Sequence, residues 1–184
     1  MERNLCGIDE AGRGPLAGDM VMAGCILTAP IEGLNDSKKL TEKKREALFE
    51  IIVQNSHYHI VKISPAQIDM DGVSASLKRG LIEIMETLQT DSYLFDGNLS
   101  YGIPGLQTMV KADGKIPEVS AASIIAKVTH DRDILLLAKK YPQYELEKHK
   151  GYGTARHVEL IKQYGYSDIH RKSYKLKALQ ATLF

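Results

Sequence analysis

Residues 7–18 read Gly7-Ile8-Asp9-Glu10-Ala11-Gly12-Arg13-Gly14-Pro15-Leu16-Ala17-Gly18. Two adjacent carboxylates close a short apolar run and lead into a glycine-rich turn with one arginine. Adjacent acids at such a position repel each other and lose hydration, so cations or hydrogen bonds must hold them ionised. Residues 4–9 and 19–28, on either side of the turn, have strand-like composition, which predicts an antiparallel pair. A third strand-like run covers 57–63. Acids also close two later apolar runs, Tyr93-Leu94-Phe95-Asp96-Gly97 and Thr108-Met109-Val110-Lys111-Ala112-Asp113. If those runs are neighbouring strands, Asp9, Glu10, Asp96 and Asp113 converge. The competing reading of Asp96-Gly97 and Asp113-Gly114 is plain turn formation, for which Asp-Gly is a common pair.

Helical patterns fill the intervals. Asp36-Ser37-Lys38-Lys39 offers capping residues before a helix from about Thr41 to Gln54, with Leu48, Phe49 and Ile52 on one face. A second helix is expected over Val73 to Gln89. A third follows Pro117, carries small residues that permit close approach to a sheet, and stops before Pro142. Thr154 can cap a helix ending at Gly165, and a last one is expected over Ser173 to Thr182. Strands first and then helices alternating with strands predict an α/β fold, a mixed sheet packed by helices. At 184 residues the chain suits one well-filled core.

Hydrophobic residues make up 43% and charged residues 26%, a globular balance that argues against a disordered chain. Cys6 and Cys25 lie in apolar runs without a spaced His/Cys set and read as buried small hydrophobes of a reducing compartment. Charges at Glu2, Arg3, Asp9 and Glu10 leave no signal-peptide core, and the apolar runs are too short to span a bilayer. A soluble, cytoplasmic protein without a membrane partner is expected. Net charge is only +1, yet from Lys139 onward ten Lys/Arg face four Asp/Glu, leaving about −5 before them. The acidic part holds the candidate metal ligands, and the basic part suits a polyanion or is a solvated tail.

Four acids without cysteine or paired-histidine ligands favour a hard cation, Mg²⁺ or Mn²⁺, over zinc. Two such ions about 3.5–4 Å apart activate a water and stabilise the leaving oxygen of a phosphodiester. That chemistry needs no histidine base, and none of the six histidines is assigned one.

The motifs closely resemble ribonuclease HII, the type 2 ribonuclease H. The matching residues are Gly7 to Gly18, Asp36 to Leu40, Phe95-Asp96-Gly97, Lys111-Ala112-Asp113, Ala121 to Val128 with Asp131-Arg132, and His149 to Thr154. The resemblance implies a ribonuclease H-like, mixed five-stranded sheet flanked by helices, with residues 1–140 catalytic and 141–184 a basic helical extension packed on them. It implies cleavage of the RNA strand of RNA–DNA hybrids and incision 5′ of single ribonucleotides in duplex DNA, leaving 3′-hydroxyl and 5′-phosphate ends, as in ribonucleotide repair. Asp9, Glu10, Asp96 and Asp113 match the metal-binding acids, and Gly12, Arg13 and Gly14 the segment that reads the RNA–DNA junction.

Only the ribose 2′-hydroxyl marks a ribonucleotide in DNA, so a glycine backbone able to touch the sugar is the expected reader. Tyr152 matches a tyrosine stacked on the neighbouring nucleotide. Lys38 and Lys150 are the expected phosphate contacts. Asp19 departs from a usual proline and His130 from a usual arginine. The rival readings are a catalytically silent hybrid-binding module and a ribonuclease HIII-like nuclease; the eight residues before Asp9 leave no room for the extra N-terminal domain of the latter. A monomer is expected. Gln180, Leu183 and Phe184 resemble the Gln-x-x-Leu-Phe peptide that docks on bacterial sliding clamps; alternatively Leu176, Leu179 and Leu183 form the buried stripe of a final helix.

Overall fold

The computed structural model of the protein describes residues 4–175, so most of the expected helix over 173–182, and all of 180–184, lie outside the described residues. Strand β1 (Leu5–Ala11) pairs antiparallel with β2 (Met20–Leu27), Asp9 opposite Ala23, as the sequence predicts. Strand β3 (Ser56–Ile63) continues antiparallel beyond β2. On the other side of β1 lie two parallel strands, β4 (Ser92–Asp96) and then β5 (Leu106–Met109). The order β3-β2-β1-β4-β5 makes β1 the central strand, and its C-terminal end lies beside that of β4.

Alternation along β1 and β2 decides which helix covers which face. Cys6, Ile8, Met20 and Met22 pack against Leu77, Leu81 and Ile84 of α2 (Pro65–Thr87). Val21, Ala23 and Cys25 meet Leu48 and Ile52 of α1 (Glu42–Gln54) and the alanines of α3 (Pro117–Lys140). Burying each such Leu or Ile contributes about 1.5–3 kcal/mol. A Cβ at Gly7 would lie 2.3 Å from the Glu118 backbone, so only glycine lets α3 begin in backbone contact with β1. That contact carries Ser120 and Ser123 to the carboxylates. Both cysteines are fully buried, and burial pushes their thiols up to about 12.

Three expectations need correction. Helix α2 starts at Pro65, not near Val73, because Ser64 and Gln67 form a reciprocal capping box; a kink at Gly72, φ +78°, separates that first stretch from the rest. The run toward Asp113 is not strand throughout. β5 ends at Met109, Lys111 takes a left-handed conformation at φ +59°, and Asp113 sits in a single 3-10 turn. Nor do residues 36–39 cap α1: Asp36 caps its own short turn over Ser37–Lys39, and Thr41 caps α1.

Beyond α3, the short α4 (Leu146–His149) and α5 (Ala155–Tyr164) pack around Tyr144, Leu146 and Leu160 against Ile134 and Ala17. Thr154 caps α5, and Gly165 at φ +79° ends it, as predicted. The chain then returns to the glycine-rich turn. Gly18 N–H donates to Ile169 O at 2.9 Å and Arg171 N–H to Leu16 O at 2.7 Å.

Candidate active site

Asp9 at the end of β1, Asp96 at the end of β4 and Asp113 in the following turn each bring a carboxylate oxygen within 4.8 Å of the others. Asp9 and Asp113 are buried. Glu10 is one residue further along β1, so its side chain leaves the opposite face. It nevertheless lines the same cleft of about 470 Å³, together with Asp36, Lys38, Lys39, Lys111 and Lys115. The four sequence-predicted acids thus share a cleft, but only three form the tight cluster.

The backbone arranges this cluster. Both Asp96 oxygens accept amides of the turn that carries Asp113, from Lys111 N at 2.9 Å and Asp113 N at 3.0 Å. Ser120 Oγ donates to Asp113 O, tying the turn to α3. Ser123 Oγ lies 2.9 Å from Ser37 Oγ, linking α3 to the turn that presents Lys38. Arg45 supports that turn by donating to Ser37 O at 2.9 Å and Leu40 O at 2.5 Å.

Electrostatically the cluster is in conflict. Burial, and then the charges of Glu10 and Asp96, push the Asp9 carboxyl well above its ordinary value, although the Ser123 hydroxyl opposes this. Burial also raises Glu10 against the opposing pull of Arg13, whose Nη1 lies 3.7 Å from its Oε1. Asp113 rises to about 6 through burial, with Asp96 and Asp36 adding to it. Glu10 Oε2 is buried with no hydrogen-bond partner among the described residues. Convergent, partly desolvated carboxylates with an orphaned oxygen, all hard oxygen donors, fit a divalent cation held by Asp9, Asp96 and Asp113 with Glu10 beside them.

The glycine-rich turn flanks this cluster. Gly12 adopts φ +76°, and a Cβ there would lie 2.3 Å from the His130 ring, so the position demands glycine. His130 is buried, its Nδ1 3.2 Å from Asp131 Oδ1. Burial acts to raise Asp131, but hydrogen bonds from His130 and Lys127 outweigh it and hold the carboxyl low. Asp19 is raised by burial and by Asp133, so both family departures sit directly behind the turn. Arg13 is exposed on its crest.

Tyr152 is 46% exposed and lies beside Gly14, where an added Cβ would stand 3.5 Å from its ring. Lys150 adopts a left-handed conformation at the end of α4 and stands on the Tyr152 side of the turn, outside the acidic cleft. Beneath Tyr152 lie three buried histidines, two of which form a relay. Ser167 N donates to His170 Nδ1 at 3.0 Å, which leaves the proton on His170 Nε2 to bridge 3.2 Å to His157 Nε2. His157 Nδ1–H then donates to Tyr152 O at 2.9 Å. His149 stacks on His157 at 4.2 Å.

No local pattern in the sequence marks this relay, Arg171 or Tyr174, or the contact between Ser37 and Ser123. Ser123 stands among the small residues of α3, and Arg171 reaches Gly12, Arg13 and Gly18 across more than 150 residues of chain. The clamp-like residues Gln180, Leu183 and Phe184 lie outside the described residues.

The ribonuclease HII family model matches residues 6–177. A ribonuclease HII of Sulfurovum sp. (strain NBC37-1) is 56% identical over 181 residues, spanning 98% of this chain and 96% of that protein. Among solved structures, one of the PCNA:RNase HII complex from Archaeoglobus fulgidus aligns with a TM-score of 0.82 at 30% identity, covering 95% of this chain and 96% of that one. Ribonuclease H2 from Pyrococcus horikoshii OT3 aligns with a TM-score of 0.78 at 28% identity, covering 97% and 96%. With sheet order, carboxylate cluster and full-length similarity in agreement, the chain belongs to the ribonuclease HII family of ribonuclease H hydrolases.

Proposed function

We propose that this protein is an endonuclease that cuts the RNA strand of RNA–DNA hybrids and incises duplex DNA 5′ of a single embedded ribonucleotide. The convergence of Asp9, Asp96 and Asp113 beside a glycine turn carries this reading. Hydrolysis adds a water oxygen to phosphorus and breaks the bond to the upstream 3′-oxygen; the water's proton ends on that oxygen, giving a 3′-hydroxyl and a 5′-phosphate. When bound at the four acids, a pair of Mg²⁺ or Mn²⁺ ions supplies an activated water and countercharge for the leaving oxygen.

The protein's own residues bind and orient. Lys38, with Lys39, Lys111 and Lys115 around the same cleft, receives the phosphate backbone. Gly12, Arg13 and Gly14 present backbone to the ribose 2′-hydroxyl, and Arg13 can release Glu10 to pair with phosphate. Tyr152 stacks on the nucleotide beside the cut, and Lys150 takes the strand next to it.

Product mapping on a duplex with one ribonucleotide, beside an all-RNA/DNA hybrid, tests the reading. Cutting of the hybrid and a single 5′ incision at the ribonucleotide are expected with Mg²⁺ or Mn²⁺, and loss of both in Asp9→Asn with duplex binding retained. Binding without cutting by the intact protein would instead identify a silent hybrid-binding module.

We also propose that Gln180, Leu183 and Phe184 dock on a sliding clamp in the cytoplasm. The Gln-x-x-Leu-Phe pattern at residues 180–184 supports this, as does the structural relative solved in a complex with PCNA. Deleting residues 183–184 should abolish clamp pull-down and leave cleavage of a short duplex intact; loss of folding would make the tail structural.

A further inference from the structure

We propose that Arg171, seconded by Tyr174, is a positioning residue that sets the ribonucleotide-reading face of the 12–18 turn. The inference rests on the proposed reading of the 2′-hydroxyl by that turn and names what gives the turn its shape.

Arg171 is 1% exposed and forms no salt bridge with an acid among the described residues. A buried charge in that position needs other partners. All five guanidinium N–H groups find one. Nη2 donates to Gly12 O at 2.6 Å and Gly18 O at 2.8 Å. Nε donates to Gly18 O at 3.2 Å, while Nη1 donates to Arg13 O at 3.0 Å and to Tyr174 Oη at 3.1 Å. Tyr174 O–H in turn donates to Arg13 O at 2.7 Å. The two ends of the turn and its crest are therefore gripped by one rigid fork.

The consequence follows from the planarity of the peptide bond. A trans peptide points its N–H opposite to its C=O, and no cis bond occurs among the described residues. With the carbonyls of Gly12 and Arg13 drawn inward to Arg171, the N–H groups of Arg13 and Gly14 must point outward. Neither has an acceptor among the described residues. Two adjacent donors on a side-chain-poor crest, beside the carboxylate cluster, can receive a ribose 2′-oxygen and find nothing to bind on deoxyribose. Lysine at position 171 would keep the charge but not the fork.

The test compares wild type, Arg171→Lys and Tyr174→Phe. Equilibrium binding to an all-DNA duplex and to the same duplex with one ribonucleotide is measured in EDTA, with kcat and KM for incision in Mn²⁺ and melting curves as a folding check. Arg171→Lys should bind the all-DNA duplex as wild type does, lose most of its preference for the ribonucleotide, and drop kcat on the order of 10²-fold with a smaller change in KM. Tyr174→Phe should shift the same readings in the same direction by a few-fold. Full retention of preference and kcat in Arg171→Lys would overturn the inference while leaving the functional reading intact. Should Arg171→Lys fail to fold, Tyr174→Phe decides alone, and an unchanged preference there overturns it. If wild type itself shows no ribonucleotide preference, the junction-reading function falls and the inference falls with it.

Discussion

Asp113 carries a cost that the metal-free fold cannot avoid. Its carboxyl sits at about 6, against 3.8 for the free side chain, through burial and then the charges of Asp96 and Asp36. A folded value above the unfolded one means that the folded state binds more protons, so this group's stabilising contribution is present below about pH 4 and lost as pH rises through about 6. Asp113→Asn should therefore melt higher than wild type in EDTA at pH 7.5, by roughly 1 kcal/mol of stability, while losing cleavage. Adding Mn²⁺ should raise the wild-type melting temperature and move the variant much less. Gly12 is constrained from the opposite direction. At φ +76°, with the His130 ring and Asp19 O against the absent Cβ, Gly12→Ala should cost about 2–3 kcal/mol in a denaturant titration and lower incision at a single ribonucleotide more than binding of plain DNA.

At the scale of elements, α5 and the segment after it act on Tyr152 through protonation state. The Ser167, His170, His157, Tyr152 relay works only with neutral imidazoles, and burial and then the neighbouring His157 push His170 down to about 4. Burial lowers His157 too. For a histidine lowered on folding, the unfolded chain binds more protons, so the contribution is complete above about 6.5 and lost as pH falls toward 4. Melting between pH 7 and pH 4 should thus fall more steeply in wild type than in His170→Gln, a difference on the order of 2–3 kcal/mol across the window. Equal slopes would show that the relay does not titrate with folding. Local chemistry made most elements legible in the sequence. The β1–β2 pair, the Thr154 cap and the stops at Pro142 and Gly165 each depend on residues within a turn of their effect. The apolar run before Asp113 predicts a strand end there, whereas Asp96 accepts the amides of Lys111 and Asp113 and bends the chain. No local pattern announces that contact, nor the grip of Arg171 on Gly12.

At the scale of the whole molecule, a chain of net charge +1 meets a polyanion by sorting its charges. Lysines 38, 39, 111 and 115 surround the acidic cleft, so cations stand where the carboxylates alone would repel a phosphate. Lys38→Ala should weaken binding of every duplex alike and reduce the magnitude of the slope of log K against log salt by about one, checked by titration at several salt concentrations. The grip of the C-terminal segment on the glycine turn also dictates an order of assembly. Asp9, Asp96 and Asp113 all precede residue 114, but the partner that shapes the 12–18 turn comes 159 residues after Gly12. A chain leaving the ribosome from its N-terminus can bring its acids together while Arg171 is still being made. For that interval a nascent molecule has all three acids yet lacks the braced turn, so the shape of the turn is set later than the acid cluster and is lost with any truncation that removes Arg171.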